Sequence, residues 1–110
     1  SAVTAACLMT KASVYHEVGG LTESFDVAFN DIDYCLKVRQ KGHLVVFNPH
    51  AECYHYESKS RGLEDTGEKV ARFNSEVEKF EKAWMKMLKE GDPYYNRNLS
   101  VLNGWYQLKE

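Results

Sequence analysis

The sequence predicts a layered α/β fold with few strands and a long C-terminal amphipathic helix. Apolar or alternating runs over residues 2–10, 44–47 and 51–55 have the composition and period of strands. Segments with helical spacing lie between and after these runs, and such alternation is typical of a layered α/β arrangement. Two or three strands are few for a free-standing sheet, which favours a chain that forms part of a longer fold.

The bulk composition is that of an ordinary globular protein. The chain has 110 residues, of which 44% are hydrophobic and 27% charged, enough for one domain with one modest core. A formal net charge of -2 provides no broad attraction for nucleic acid or anionic lipid. No apolar run approaches the ~20 residues of a membrane span. These features predict a globular chain without nucleic-acid partners and without a membrane span.

The first half of the chain contains two predicted helices. Val14 and Val18 are four residues apart and precede a glycine pair, which predicts a short helix ended by Gly19 in a left-handed conformation. A second helix is predicted over residues 30–41, with Gly42 just beyond it. Asn30 or Asp31 is expected to cap this helix, since acidic residues suit its positive end.

The second half is predicted to contain one long helix. A polar, glycine-bearing loop precedes apolar residues that recur at spacings of three and four and end before Gly91: Val70, Phe73, Val77, Phe80, Trp84, Met87 and Leu88. Such a stripe most simply faces a core. A partner-binding surface on the same stripe remains an alternative.

The pattern Asp31-Ile32-Asp33 has both a structural and a functional interpretation. Positions two apart lie ~200° apart on a helix, so both carboxylates reach one cation only if the helix has not yet begun. In the structural interpretation they are acidic residues of a first helical turn. In the functional one Asp31 projects into a cleft while Asp33 is solvated or paired with a base such as Lys37.

His55 and the cysteines raise the question of metal binding. His55 ends an extended segment, where an imidazole suits a divalent metal or a phosphate; the alternative is a partly buried histidine bonded to a backbone carbonyl. A zinc cluster of His50, Cys53, His55 and Cys35 is conceivable but has no C-x-x-C spacing. The odd number of cysteines and their apolar neighbours predict buried, reduced thiols, although two could pair if their Cα atoms came within ~6 Å.

The polar loop that follows His55 carries Ser60 and Arg61. Together with backbone amides, these side chains could order around a phosphate. The alternative is a solvated linker.

Roughly residues 2–62, including the stretch from AACLMTK to YHYESKSRG, resemble the C-terminal half of the catalytic domain of family 2 glycosyltransferases. These enzymes have the GT-A fold and build bacterial polysaccharides, rhamnosyltransferases among them. The later segment DPYYNRNLS, residues 92–100, is similar to an ending found in the same group. The resemblance implies that residues 1–62 are the acceptor side of a GT-A catalytic domain and that residues 63–110 are a helical extension packed on it.

The resemblance also implies roles for individual residues. The family's acidic motif matches residues 30–33, so Asp31 is the implied general base, and Asn30 stands where Glu is commoner. His55 matches a histidine that binds a divalent cation, Mg²⁺ or Mn²⁺, in several members. Further implied positions are on the acceptor side, at Gly19, Gly20, Glu23 and Asn30, and at the donor phosphates, at Ser60 and Arg61.

The implied reaction is inverting transfer of a sugar from a nucleotide-diphosphate donor to a glycan or lipid-linked acceptor. The implied partner is the N-terminal half of the same enzyme, with self-association through an exposed sheet edge as a further expectation. The expected location is the cytoplasm, with the inner face of the membrane as an alternative. A stand-alone interaction module that uses helix 70–88 and a small metal-binding domain are the competing hypotheses.

Overall fold

A computed structural model describes residues 2–25, 28–56, 67–102 and 105–109. In this part of the chain a 3₁₀ helix, Ala5–Cys7, precedes three α-helices: α1 (Ala12–Glu17), α2 (Asn30–Gln40) and α3 (Gly67–Glu90). These residues contain no β-strand; an isolated antiparallel bridge joins Leu99 to Leu108. None of the described helices combines the length and apolarity that a membrane crossing demands.

The predicted strands are not paired among the described residues. The run over residues 2–10 is not one strand, because the 3₁₀ helix interrupts it between the extended residues Thr4 and Leu8. Residues 44–47 and 51–55 form neither helix nor strand. An extended segment becomes a strand only when a second one completes its hydrogen-bond ladder, and the described part offers none to these segments. The α/β class therefore stays a prediction.

The prediction for the first helix is confirmed. Gly19 has φ +82° and follows α1 directly after the capping Val18. The Gly19 N–H donates to the His16 carbonyl at 3.2 Å, and the Gly20 N–H donates to the Tyr15 carbonyl at 2.9 Å. This pair of bonds is the Schellman motif, which satisfies carbonyls that the helix end leaves without partners.

The span of α2 agrees with the prediction, but its cap does not. Phe29, and not Asn30 or Asp31, occupies the cap position, with a left-handed backbone (φ 65°) and no side-chain cap bond. Its ring stacks on Phe80 with centroids 5.1 Å apart and also meets Phe73 at 5.6 Å. Aromatic packing against α3 thus outweighs the capping preference of the polar residues.

The core lies between α3 and the segment that leads into α2. Phe25, Phe80 and Trp84 are its buried members, with Phe29, Leu36 and Met87 packed around them. The predicted core-facing stripe of α3 is confirmed at Phe80 and Trp84, while Val70 and Leu88 remain 44% and 47% exposed. The interaction-module hypothesis needs an exposed stripe, and the burial of Phe80 and Trp84 leaves less of it accessible to a partner.

Candidate functional site

Asp31 lies in the first turn of α2 and is partly exposed. Its Oδ1 accepts the N–H of Ile32 at 2.9 Å, and its Oδ2 accepts the N–H of Ala5 at 3.1 Å. The second bond connects the helix start to the N-terminal segment. Each oxygen has a second lone pair, so this carboxylate is oriented by the protein and still able to accept a further hydrogen bond.

Asp33 is buried, with only 2% of its surface exposed. Its Oδ1 accepts the indole N–H of Trp84 at 2.6 Å, and its Oδ2 accepts the Thr22 hydroxyl at 2.6 Å. The Lys37 Nζ lies 3.6 Å from Oδ2 and also donates to the Gly20 carbonyl at 3.2 Å. The predicted pairing with Lys37 is confirmed, whereas a solvated Asp33 is wrong.

The two carboxylates of the D-x-D pattern therefore point to different parts of the molecule. Asp31 contacts the N-terminal segment, and Asp33 contacts α3 and the loop after α1. The cause is the helix itself, which already includes both residues because it begins at Asn30. A shared cation between these two side chains is excluded by this geometry.

Glu76 is a buried carboxylate that the sequence reasoning missed. It is 3% exposed, and its Oε2 accepts the N–H of Ala28 at 3.1 Å. This bond ties α3 to the segment immediately before α2. Its spacing could have predicted its burial, because it lies three residues after Phe73 and four before Phe80, on the same face of the helix.

The predicted acceptor-side residues differ in their burial and in their contacts with the rest of the structure. Gly20 is buried and connects to the Asp33 network through Lys37, whereas Gly19 and Glu23 are exposed. Asn30 is partly buried, and its Nδ2 donates to the Phe25 carbonyl at 3.4 Å. The structure thus joins the glycine turn to α2 and leaves Glu23 at the surface.

His55 lies exposed in segment 51–56, which forms neither helix nor strand. Residues 2–25, 28–56, 67–102 and 105–109 contain no group of three His, Cys, Asp or Glu side chains that could hold a metal ion. Cys35, one member of the conceivable zinc cluster, is buried and bonds instead to the backbone of Val3. The described residues alone therefore do not fit a divalent cation. Ser60 and Arg61 lie outside the described residues.

The cysteine prediction is correct for one residue and wrong for two. Cys35 is buried, with 1% of its surface exposed, whereas Cys7 and Cys53 are both exposed free thiols. The apolar neighbours that suggested burial are themselves largely at the surface, since Met9 is 98% exposed and Tyr54 is 91% exposed.

An open groove runs over α2 on the side of the N-terminal segment. Its lining includes residues 8–10 and 44–46, together with Tyr34 and Val38 of α2. The Thr10 and Tyr34 hydroxyl groups lie 2.8 Å apart and are hydrogen-bonded. The groove brings two segments that were predicted as strands next to each other.

Comparison with known proteins finds partial similarity to two much longer proteins. Over 102 residues the chain is 55% identical to the uncharacterized protein y4gI of Sinorhizobium fredii, a match that covers 92% of this chain and 11% of y4gI. Over 99 residues it is 30% identical to the O-antigen biosynthesis protein RfbC of Myxococcus xanthus, covering 90% of this chain and 7% of RfbC. Part of RfbC is thus similar to nearly all of this chain.

The chain accordingly spans only 11% and 7% of the lengths of these two relatives. No protein-family model matches it. No solved structure matches it either.

Proposed function

We propose that this chain is the acceptor-side part of an inverting family 2 glycosyltransferase with the GT-A fold, acting in bacterial surface polysaccharide synthesis. The similarity to RfbC, whose name assigns it to O-antigen biosynthesis, supports the pathway. The observation that carries the proposal is the contrast between the carboxylates: Asp31 is partly exposed at a helix start, while Asp33 is withdrawn into the core.

Asp31 is the general base of the proposed reaction. Its carboxylate takes the proton of an acceptor hydroxyl, and the resulting oxygen nucleophile attacks the anomeric carbon on the face opposite the departing nucleoside diphosphate. Such a base must lie about 3 Å from the acceptor oxygen. The N–H groups of Ala5 and Ile32 hold the carboxylate in one orientation, which reduces the cost of reaching that geometry.

The buried contacts around Asp33 support this assignment by fixing the helix that carries Asp31. Trp84 and Thr22 anchor the first turn of α2 from two sides. Lys37 links the same carboxylate to Gly20, which belongs to the turn expected on the acceptor side. The base and the acceptor turn are therefore parts of one connected structure.

The proposal also includes a divalent cation and a nucleotide-sugar donor. His55 remains the predicted ligand for Mg²⁺ or Mn²⁺, which would neutralise the diphosphate leaving group. The described residues do not by themselves provide a ligand set for this ion. Further ligands and the donor site are proposed to come from an N-terminal half of a longer enzyme.

Replacement of Asp31 by asparagine tests the base. Asparagine retains an oxygen that can accept the Ala5 N–H but cannot take up a proton, so the shape of the site is preserved. In the complete enzyme we expect sugar transfer to fall by ~10²-fold or more, with donor affinity changed less than about twofold. The measurements are nucleoside diphosphate release with a panel of nucleotide sugars and acceptors, and calorimetric titration of the donor.

A matched control is Glu78→Gln, the same chemical change at an exposed position of α3. This variant should retain the parent rate. Near-normal transfer by Asp31→Asn would rule out the base role, and equal losses in both variants would indicate a nonspecific effect of charge removal.

A further inference from the structure

The residue that precedes α2 has a backbone conformation that its own side chain disfavours. Phe29 has φ 65°, in the left-handed region, and its carbonyl accepts the N–H of Asp33 at 2.8 Å. A bulky residue keeps this conformation only when its surroundings hold it there. Because Phe29 caps α2, its backbone determines where the helix that carries Asp31 begins. The contacts that hold Phe29 therefore also fix the first turn of α2.

One face of α3 provides these contacts. The Oε2 atom of Glu76 accepts the N–H of Ala28, the residue immediately before the cap, at 3.1 Å. The ring of Phe80 stacks on Phe29 with centroids 5.1 Å apart and planes 22° apart, and the ring of Phe73 lies 5.6 Å away. Spacings of three and four positions place these three α3 side chains on the same face. This face contacts both the peptide before the cap and the side chain of the cap.

A glutamate at this position costs more to bury than an apolar side chain would. Glu76 is only 3% exposed, and a carboxylate in the interior loses its hydration and depends on hydrogen-bond donors there. Replacing buried ionic groups by apolar residues of similar volume is often neutral or stabilising. Packing alone therefore does not account for the glutamate. What it adds is an acceptor for the Ala28 N–H, which fixes the peptide next to the cap.

We propose that Glu76 is a positioning residue for Asp31. Together with the rings stacked on Phe29, it holds the left-handed cap of α2 and so sets the direction from which the Asp31 carboxylate meets the acceptor hydroxyl. It acts through the backbone of residues 28–31 and does not touch the reacting atoms. The inference rests on the proposed role of Asp31 as the base, and it gives α3 a part in the reaction beyond packing. A displacement of the base by about 1 Å is enough to slow such a reaction by ~10²-fold.

Two replacements of Glu76 in the complete enzyme test this role. Glu76→Ala removes the acceptor, so kcat should fall by ~10-fold or more, while the donor KM should change less than about twofold because the donor site is undisturbed. Glu76→Gln keeps an oxygen that can accept the Ala28 N–H and should recover most of the lost kcat. The matched control is Glu78→Ala, the same change at an exposed position of α3, which should retain the parent kcat.

Hydrogen exchange resolved by residue separates a local effect from general destabilisation. In Glu76→Ala the amides of Ala28 and Asp33 should exchange at least ~10-fold faster than in the parent, whereas the amide of Val38, later in α2, should be unchanged. Equal acceleration throughout α2 would overturn the proposal. Because this measurement does not require sugar transfer, it reports on the contact between Glu76 and the cap even if the proposed function fails.

Phe29→Leu is a second test that leaves Glu76 in place, and it remains informative if Glu76→Ala does not fold. Leucine cannot stack on Phe80, so kcat should again fall with the donor KM unchanged. Parent-like kcat in either variant, in an enzyme that Asp31→Asn inactivates, would overturn the positioning role alone. Parent-like transfer by Asp31→Asn would instead overturn the base, and with it the role of Glu76.

Discussion

The indole of Trp84 donates its N–H to a carboxylate that is almost entirely removed from water. The bond is 2.6 Å long, and Asp33 is 2% exposed. A buried carboxylate loses its hydration and depends on such donors for compensation. Trp84 also departs from helical geometry (φ -121°, ψ 17°), so α3 bends at the residue that makes this contact.

Trp84→Phe should therefore destabilise the protein by about 1.5–3 kcal/mol, because the aromatic packing is largely kept while a donor to a charged group is lost. Chemical denaturation monitored by circular dichroism measures the change in the free energy of unfolding. The same substitution at Trp105, which is 80% exposed, should change it by less than about 0.5 kcal/mol. Equal effects at both positions would contradict the assigned role of the Asp33 contact.

At the scale of elements, two helices end in the same way. After α2, Gly42 has φ +87°, its N–H donates to the Arg39 carbonyl at 2.9 Å, and the His43 N–H donates to the Val38 carbonyl at 3.2 Å. This repeats the Schellman motif after α1. Such ends depend on a residue without a side chain at the left-handed position, which explains why glycine spacing located both helix ends well.

The glycine pair after α1 allows conformational strain to be separated from steric crowding. Both glycines have positive φ, but a Cβ at Gly19 would meet nothing within 4 Å, whereas one at Gly20 would lie 3.0 Å from the Tyr15 ring. Gly19→Ala should destabilise by about 1–2 kcal/mol through backbone strain. Gly20→Ala should cost about 1 kcal/mol more, because Tyr15 must move.

Urea unfolding of the two alanine variants measures this difference. The Gly19 variant is the control for the Gly20 variant, since it carries the same backbone strain without the contact. Equal destabilisation would mean that Tyr15 yields at no cost. In that case the contact between the new Cβ and Tyr15 adds nothing to the cost of the backbone strain.

At the scale of the whole molecule, the chain is expanded and exposes much apolar surface. Its Cα radius of gyration is 15.5 Å, against about 13 Å for a compact chain of this length. Leu44 and Val46 are 70% and 73% exposed. Apolar surface of this kind marks a face that associates with another protein surface.

The 110-residue chain by itself should therefore self-associate as its concentration rises. Sedimentation velocity over a hundredfold range would show the average mass increasing, and Leu44→Lys with Val46→Lys should shift the curve to higher concentration by ~10-fold or more. Glu78→Lys adds a lysine at an exposed position of α3 and should leave the curve in place. A parent chain that remains monomeric throughout would contradict the prediction.

Local patterns in the sequence were sufficient for the features that local physics controls. The spans of α2 and α3 and the glycine at the end of α1 follow from side-chain period and from the left-handed preference of glycine. The separation of Asp31 from Asp33 follows in the same way, since helical geometry alone turns them apart. These features involve residues within a few positions of one another.

The tertiary structure alone decided which of these residues are buried and what they contact. Asp33 accepts a bond from Trp84, and Glu76 accepts one from Ala28, across 51 and 48 positions of sequence. Phe29 takes the cap position because its ring packs on α3, and the predicted strands remain unpaired because no described segment completes their ladders. Each outcome depends on partners that are distant in the chain, and the energy of burying a side chain depends on those partners more than on its neighbours in sequence.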